Sequence, residues 1–464
     1  MKQSTKSHHF NLEKEADLKK QLQEMNLHLP HSPHLGILTS PLKMGGFILP
    51  NRFLIQPMEG VDAHPETGAP SPLTVRRYRR YAAGGSGLIW GEAVSVVPEG
   101  CSGARQLRLT QSNLKEYQKL VETIRQEAYK HHNHSIVLIL QLTHSGRYSR
   151  PNGIPKPLKG QKNPWLDDVL KMNEAPIITD EELDHLLDAY VETAQLAFQA
   201  GFDGVDVKAV HGYLIAELLG AHSRTGRYGG SFENRTRFLR ECIARIKDLC
   251  PSSHFVTSRT TVLEPTPYPY GWGVAPTEGE SKADWTMDFE EPLQLLREMD
   301  VLGLPIVNIS MGFPRFQPHI NRPASGTAIG ALPPPEHPLK GLVRYQETVK
   351  EIQLNLPNLP IPNAALAWLR HLMPEVAAGM IEEGWCSLFG MGRGAFAYPD
   401  LPRDVMRQGF ASPEKCCTTC SMCSQIMKDG IGRTGCVIRD KAIYGPELAR
   451  GRSVQTNPAL IRNA

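Results

Sequence analysis

The chain has 464 residues, 41% of them apolar and 21% charged, and its 51 basic side chains nearly balance its 48 acidic ones for a net charge of +3. No block of like charge interrupts that balance, so a nucleic-acid partner is not expected. Nothing approaches the ~18 consecutive apolar residues of a membrane span, and the N-terminal MKQSTKSHHFNLEKEADLKKQ lacks the apolar core of a signal peptide, so the expectation is a soluble, cytoplasmic protein.

Residues 1–35 read as a polar arm, charged and weakly amphipathic from Glu13 to Leu27. Residues 38–54, LTSPLKMGGFILPNRFL, alternate about Gly45-Gly46 as a hairpin does. From there, short apolar or β-branched runs alternate with helical patterns. The runs are 53–58, 87–96, 136–144, 204–211, 255–260, 305–312, 359–365 and 386–393, and helical patterns fall at 114–130, 180–199, 234–249, 289–302, 342–354 and 368–383. This α/β rhythm, with eight strand units, predicts a (β/α)8 TIM barrel over residues 36–412 rather than an open Rossmann sheet. Residues 413–464 fall outside the rhythm and form a separate cysteine-rich segment and tail.

Barrel enzymes keep their chemistry on the loops that follow the strands. Two of those loops are long and rich in Pro, Gly and aromatics: HSGRYSRPNGIPKPLKGQKNPWLDD after the third run and VLEPTPYPYGWGVAPTEGESKADW after the fifth. The aromatic stretch Tyr268-Pro269-Tyr270-Gly271-Trp272 suggests a bulky or planar small-molecule substrate. The fourth run ends in Lys208, His211 and Tyr213, polar groups that are expensive at the end of a buried strand unless they act on something. Gln141 and His144 close the third run. Arg259 stands where an apolar residue is expected, and a guanidinium inside a barrel wants an anion or an electron-rich acceptor. After the eighth run, Gly390-Met391-Gly392-Arg393-Gly394 can bring backbone N–H groups and one cation onto a phosphate.

Five of the nine cysteines fall between Cys416 and Cys436, written Cys417-x2-Cys420-x2-Cys423-x12-Cys436 with Cys416 spare. Such crowding in an intracellular chain favours metal over disulfides. Three thiolates at this spacing can clasp one face of a [4Fe–4S] cluster, and a fourth from a returning loop closes it. Zinc also takes four thiolates, although zinc ribbons generally use two separated C-x2-C pairs.

The chain resembles the old yellow enzyme family of FMN-dependent barrels, in particular the iron–sulfur branch that includes 2,4-dienoyl-CoA reductase and trimethylamine dehydrogenase. The likeness covers roughly residues 38–440 and rests on PLKMGGFILPNRF, QLTHSGR, HGYLIAELL with RYGGSFENRTRF, GMGR and the cysteine spacing. It implies FMN and a [4Fe–4S] cluster held by Cys417, Cys420, Cys423 and Cys436. Pro57 and Met58 would lie against the flavin with Glu59 close by, Glu92 and Gln141 near its pyrimidine edge, and Arg259 beside N1 and O2. Gly392 and Arg393 would hold the phosphate. Lys208 and His211 would grip a substrate oxygen, and Tyr213 would donate a proton.

This chain departs from the family pattern in several places. Lys208 stands where histidine or tyrosine is usual, and Glu59 where threonine or cysteine is frequent. The glycine-rich loop expected after the seventh strand reads Pro362-Asn363-Ala364-Ala365, and no strand–GxGxxG–helix unit accompanies the barrel. The implied activity is reduction of an activated C=C bond, of enone or enoate type. Electrons would come from NAD(P)H, a ferredoxin or flavodoxin, or a partner subunit, and a homo-oligomer is compatible. Oxidation of an amine with the same cofactors, and a non-catalytic electron-transfer subunit, are the alternative readings.

Overall fold

The computed structural model describes residues 10–276, 285–315, 317–326 and 334–456, with the backbone alone over 452–456. Residues 277–284, part of the long loop after the fifth run, lie outside the described residues.

The hairpin forms as expected from β1 (Leu42–Met44) and β2 (Phe47–Leu49), antiparallel, with Gly45 in the left-handed region at φ +55°. The barrel follows as β3 (Phe53–Ile55), β4 (Leu88–Ser95), β5 (Val137–Thr143), β6 (Gly204–Val207), β7 (Phe255–Leu263), β8 (Val307–Met311) and β9 (Phe389–Met391). All pairings are parallel, in the spatial order β8-β7-β6-β5-β4-β3-β9. Strands β4, β5 and β7 are buried along their whole length, as the apolar runs require of a sheet covered on both faces.

The position between β8 and β9 is where expectation and structure differ. The run 359–365 makes a single bridge, Pro362 with Leu388, instead of a full strand. Pro360 and Pro362 have no N–H to donate, so the ladder cannot extend through them. Closure still occurs: the Val307 N–H donates to the Pro360 carbonyl at 3.2 Å, Ser387 to Ile361 at 2.8 Å and Asn363 to Leu388 at 3.0 Å. The barrel thus has eight staves, one of them reduced to a bridge.

Helices 114–132, 180–200, 232–249, 290–301 and 338–355 match the predicted patterns within a few residues, and the last predicted helix begins as a tight 366–372 turn before Met373–Glu382. A further helix, Pro72–Ala83, joins β3 to β4, capped by Ser71, whose side chain accepts from the Leu73 and Thr74 N–H groups. The hairpin plugs the N-terminal mouth of the barrel. Met44, Leu49, Leu54, Trp90, Ile139 and Phe255 share one core cluster there, and the Phe47 and Phe255 rings lie 5.0 Å apart. That floor leaves the opposite end, where the strands terminate, for a site.

Candidate active site

A cavity sits at the C-terminal ends of the strands, lined by Met58 and Glu59 after β3, Lys208, His211 and Tyr213 after β6, Arg259 from β7, Arg322 after β8, and Gly392 and Arg393 after β9. The fourth strand carries the most elaborate turn. Its ladder continues past Val207 through the Lys208 and Ala209 N–H groups, which donate to Leu142 at 3.1 Å and Arg259 at 2.8 Å. His211 and Gly212 then both take left-handed φ, +68° and +67°. A histidine there carries strain of ~1 kcal/mol or more. The buried Glu264 secures the turn by accepting from the Gly212 N–H at 3.0 Å.

This turn aims Tyr213 back at Glu59. The Tyr213 hydroxyl donates to Glu59 Oε1 at 3.4 Å, Lys208 Nζ donates to the same oxygen at 3.3 Å, and Ser102 Oγ donates to Oε2 at 3.0 Å. Lys208 Nζ also lies 3.8 Å from the Tyr213 ring centroid, a cation–π contact. Burial pulls the Lys208 pKa below the ordinary lysine range while Glu59 pulls it up. Burial and the Glu59 charge both push the Tyr213 phenol up, so it stays protonated at neutral pH. His211 places Nε2 3.0 Å from Ser310 Oγ and 3.3 Å from Asn321 Nδ2, and burial, then Arg259, Lys208 and Arg322, hold it neutral.

Inside the barrel the buried Asp206 organises its neighbours. It accepts from Trp90 Nε1 at 2.6 Å, Gln141 Nε2 at 2.7 Å and the Arg259 backbone N–H at 2.5 Å, and burial pushes its pKa up to about 6. Arg259 therefore meets Asp206 through its backbone. Its guanidinium Nε, shielded from solvent, has no protein acceptor among the described residues. Arg393 Nη1 and Arg322 Nε are shielded and unpartnered in the same way, and no carboxylate pairs with either side chain among the described residues. A cavity walled by three guanidiniums that have no carboxylate partner among the described residues, Arg259 from β7, Arg322 after β8 and Arg393 after β9, is suited to an anionic, electron-rich ligand.

Beside it lies a smaller cavity lined by Cys417, Cys420, Cys423 and Cys436, and Arg393, Phe396 and Cys423 belong to the walls of both. Thr419 and Ser421, both at positive φ, wrap the chain between the first three cysteines. Backbone N–H groups donate to two of the sulfurs, Thr419 to Cys417 at 3.4 Å and Arg439 to Cys436 at 3.3 Å. Cys416 is buried elsewhere, its thiol against the Ser412 carbonyl at 3.4 Å. Among the described residues, no three Cys, His, Asp or Glu side chains converge closely enough for a single ion. Zinc draws four sulfurs to ~2.3 Å from one point, whereas a cluster takes one thiolate per iron corner. Four cysteines lining one cavity are a donor set that either group takes.

Pro57, expected against the flavin, is buried and does not line the cavity, whereas its neighbours Gln56 and Met58 do. Glu92 and Gln141, expected at the flavin's edge, do not line the cavity. A bulge in β4 between Trp90 and Ala93 turns Glu92 toward the helix Pro72–Ala83, where it accepts from Arg77 Nη1 and the Gly60 N–H, each at 2.7 Å. Gln141 is held by Asp206. Sequence reasoning passed over Asp206, Ser310, Asn321 and Arg322. Ser310 lies inside the sixth run, and Asn321 and Arg322 fall in its loop GFPRFQPHINRP, which is shorter than the two singled out but carries Pro and two arginines at a barrel strand end.

A (β/α)8 barrel whose C-terminal mouth and last loop carry arginines without carboxylate partners belongs to the class of barrels that bind a phosphate-bearing flavin. The chain is a member of the NADH:flavin oxidoreductase / NADH oxidase family, whose model matches residues 38–270. It is 26% identical to the NADH oxidase of Thermoanaerobacter brockii over 84% of this chain and 53% of that protein. In structure it is similar to 2-naphthoyl-CoA reductase (TM-score 0.68, 22% identity, 89% of this chain and 58% of that one) and to histamine dehydrogenase from Rhizobium sp. 4-9 (TM-score 0.59, 20% identity, 87% and 50%). The chain thus spans little more than half the length of that curated relative. Three guanidiniums without a carboxylate partner among the described residues make a lining that fits an anionic, phosphate-bearing flavin.

Proposed function

We propose that this chain is an FMN-dependent reductase of activated C=C bonds, its flavin reduced by hydride from NAD(P)H, with a [4Fe–4S] cluster on Cys417, Cys420, Cys423 and Cys436 that would pass single electrons to or from the flavin. The observation that carries this reading is the convergence of Tyr213 and Lys208 on Glu59, in the same cavity that Arg259 and Arg393 line. Bound reduced FMN supplies a hydride to the electron-poor β-carbon. Lys208 and the neutral His211 stabilise the enolate oxygen that develops, an interaction of ~3–4 kcal/mol for one well-aimed donor. Tyr213, kept protonated, gives its proton to the α-carbon and is reprotonated from solvent.

Glu59 bears on substrate choice. A free carboxylate in the cavity would attract a cationic amine, but Lys208 neutralises it at 3.3 Å, which favours a neutral or oxyanion-forming substrate over an amine. The test is anaerobic purification followed by reduction with NADH or NADPH and a screen of enones and unsaturated acids. Flavin bands, about four irons per chain and turnover of an enone are expected. Colourless protein holding one zinc would sink the redox reading, and turnover of amines alone would replace the C=C reading.

A further inference from the structure

The altered loop at Asn363–Ala365 poses a question that Arg322 answers. Ala365 takes a left-handed φ of +68°, a conformation that glycine adopts without strain, and its methyl group limits how closely the backbone approaches a phosphate. Into the same cavity project two guanidiniums. Arg393 is buried, and its Nη2 donates at 3.5 Å to the carbonyls of Arg322 and Pro323. Arg322 is half-buried beside it. Its Nη2 donates to the Pro314 carbonyl at 3.0 Å and its Nη1 to Ser424 Oγ. Two partly desolvated cations side by side repel: desolvation, then Arg393, draw the Arg322 pKa down to about 10. An anion seated between them would offset that repulsion.

The segment that carries Arg322 is pinned by the cysteine loop. The Ser325 N–H donates to Thr419 Oγ1 at 3.2 Å, the Gly326 N–H to the Thr419 carbonyl at 3.3 Å, and Ser421 Oγ to the Gly326 carbonyl at 2.7 Å. Thr419, Ser421 and Ser424 are interleaved with Cys417, Cys420 and Cys423. Whatever orders the cysteines therefore orders Arg322.

We propose that Arg322 and Arg393 form a two-arginine clamp on the phosphate of FMN, and that filling the cysteine cavity tightens this clamp by fixing the Thr419–Ser424 contacts to residues 322–326. The inference rests on the FMN and iron–sulfur reading above and adds to it a binding residue and a dependence of one cofactor on the other.

The experiment is calorimetric titration of the flavin-free, cluster-loaded full chain with FMN and with riboflavin, which lacks the phosphate. Arg322→Met is expected to weaken FMN binding about 10- to 100-fold while changing riboflavin binding less than about 2-fold. Arg322→Lys should fall between, since it keeps the charge and loses the fork. Ser424→Ala, which leaves both arginines and all cysteines in place, should cost FMN a smaller factor and riboflavin nothing. Removing iron with a chelator should weaken FMN binding to the wild type but add little to the loss in Arg322→Met. Equal losses for FMN and riboflavin, no loss in Arg322→Met, or an equal effect of iron removal in both proteins would overturn the proposal. A wild-type chain that binds neither flavin would instead overturn the functional reading beneath it.

Discussion

At the scale of single residues, charge at the site depends on pairing. Lys208 adds a positive charge to the cavity wall, but Glu59 offsets it, and both side chains are largely shielded, at 4% and 13% exposure. Removing one partner of such a pair strands the other. Glu59→Gln should therefore cost ~3 kcal/mol of stability in urea unfolding, and adding Lys208→Met should recover most of it. Tyr213→Phe should slow substrate reduction ~10²- to 10⁴-fold and leave reduction of the bound flavin by NAD(P)H unchanged in stopped-flow half-reactions. Equal losses in both halves would make Tyr213 a packing residue. His144 links one residue to acid stability. Its Nδ1 accepts from the Gly146 N–H at 3.1 Å, and burial pulls its pKa from 6.5 to about 4. Between those values the unfolded chain binds the proton and the folded chain does not. Stability is thus full above about pH 6.5 and falls by on the order of 3 kcal/mol as the pH drops to about 4. His144→Gln should flatten that limb in pH-dependent unfolding.

At the scale of elements, the cysteine segment is a small body docked on the barrel. Ile426, Val437, Tyr444 and Leu448 give it a core of its own. Its attachment runs through Asp440, which meets Arg76 and Arg80 of the helix Pro72–Ala83 at 2.7 Å each, and through the Thr434 N–H, which donates to the Gly60 carbonyl at 2.6 Å. Gly60 follows Glu59, so the segment braces the loop that holds Lys208 and Tyr213. Cys436→Ser should lower the iron content and the broad cluster absorbance, and should open residues 413–456 to limited proteolysis while the barrel core stays protected. If iron content is unchanged, Cys436 is not a ligand. The hairpin plays the complementary part at the other mouth, closing the barrel floor with Phe47 against Phe255.

At the scale of the whole molecule, the arm and the barrel share one core. Leu12, Leu18 and Leu22 belong to the cluster that also holds the barrel helices, and Leu18 is 1% exposed. Leu18→Ala should cost ~2–5 kcal/mol, read as a lower melting temperature; an unchanged melt would show the arm to be dispensable. That burial was not legible in the arm's weak amphipathic pattern, because few apolar residues suffice when a groove is already waiting. The strand–helix rhythm, the polar load at the end of the fourth strand and the cysteine spacing were legible, since each is a matter of local periodicity or short spacing. Partners far apart along the chain were not. Glu59 lies 149 residues from Lys208, Glu92 faces Arg77 because a bulge turns it outward, and Arg322 reaches Arg393 and Ser424 only once the barrel has closed. Local pattern could therefore say which side chains stand at the mouth of the barrel, whereas closure decided which charges meet there, because contacts between distant residues depend on the register and bulges of the whole sheet.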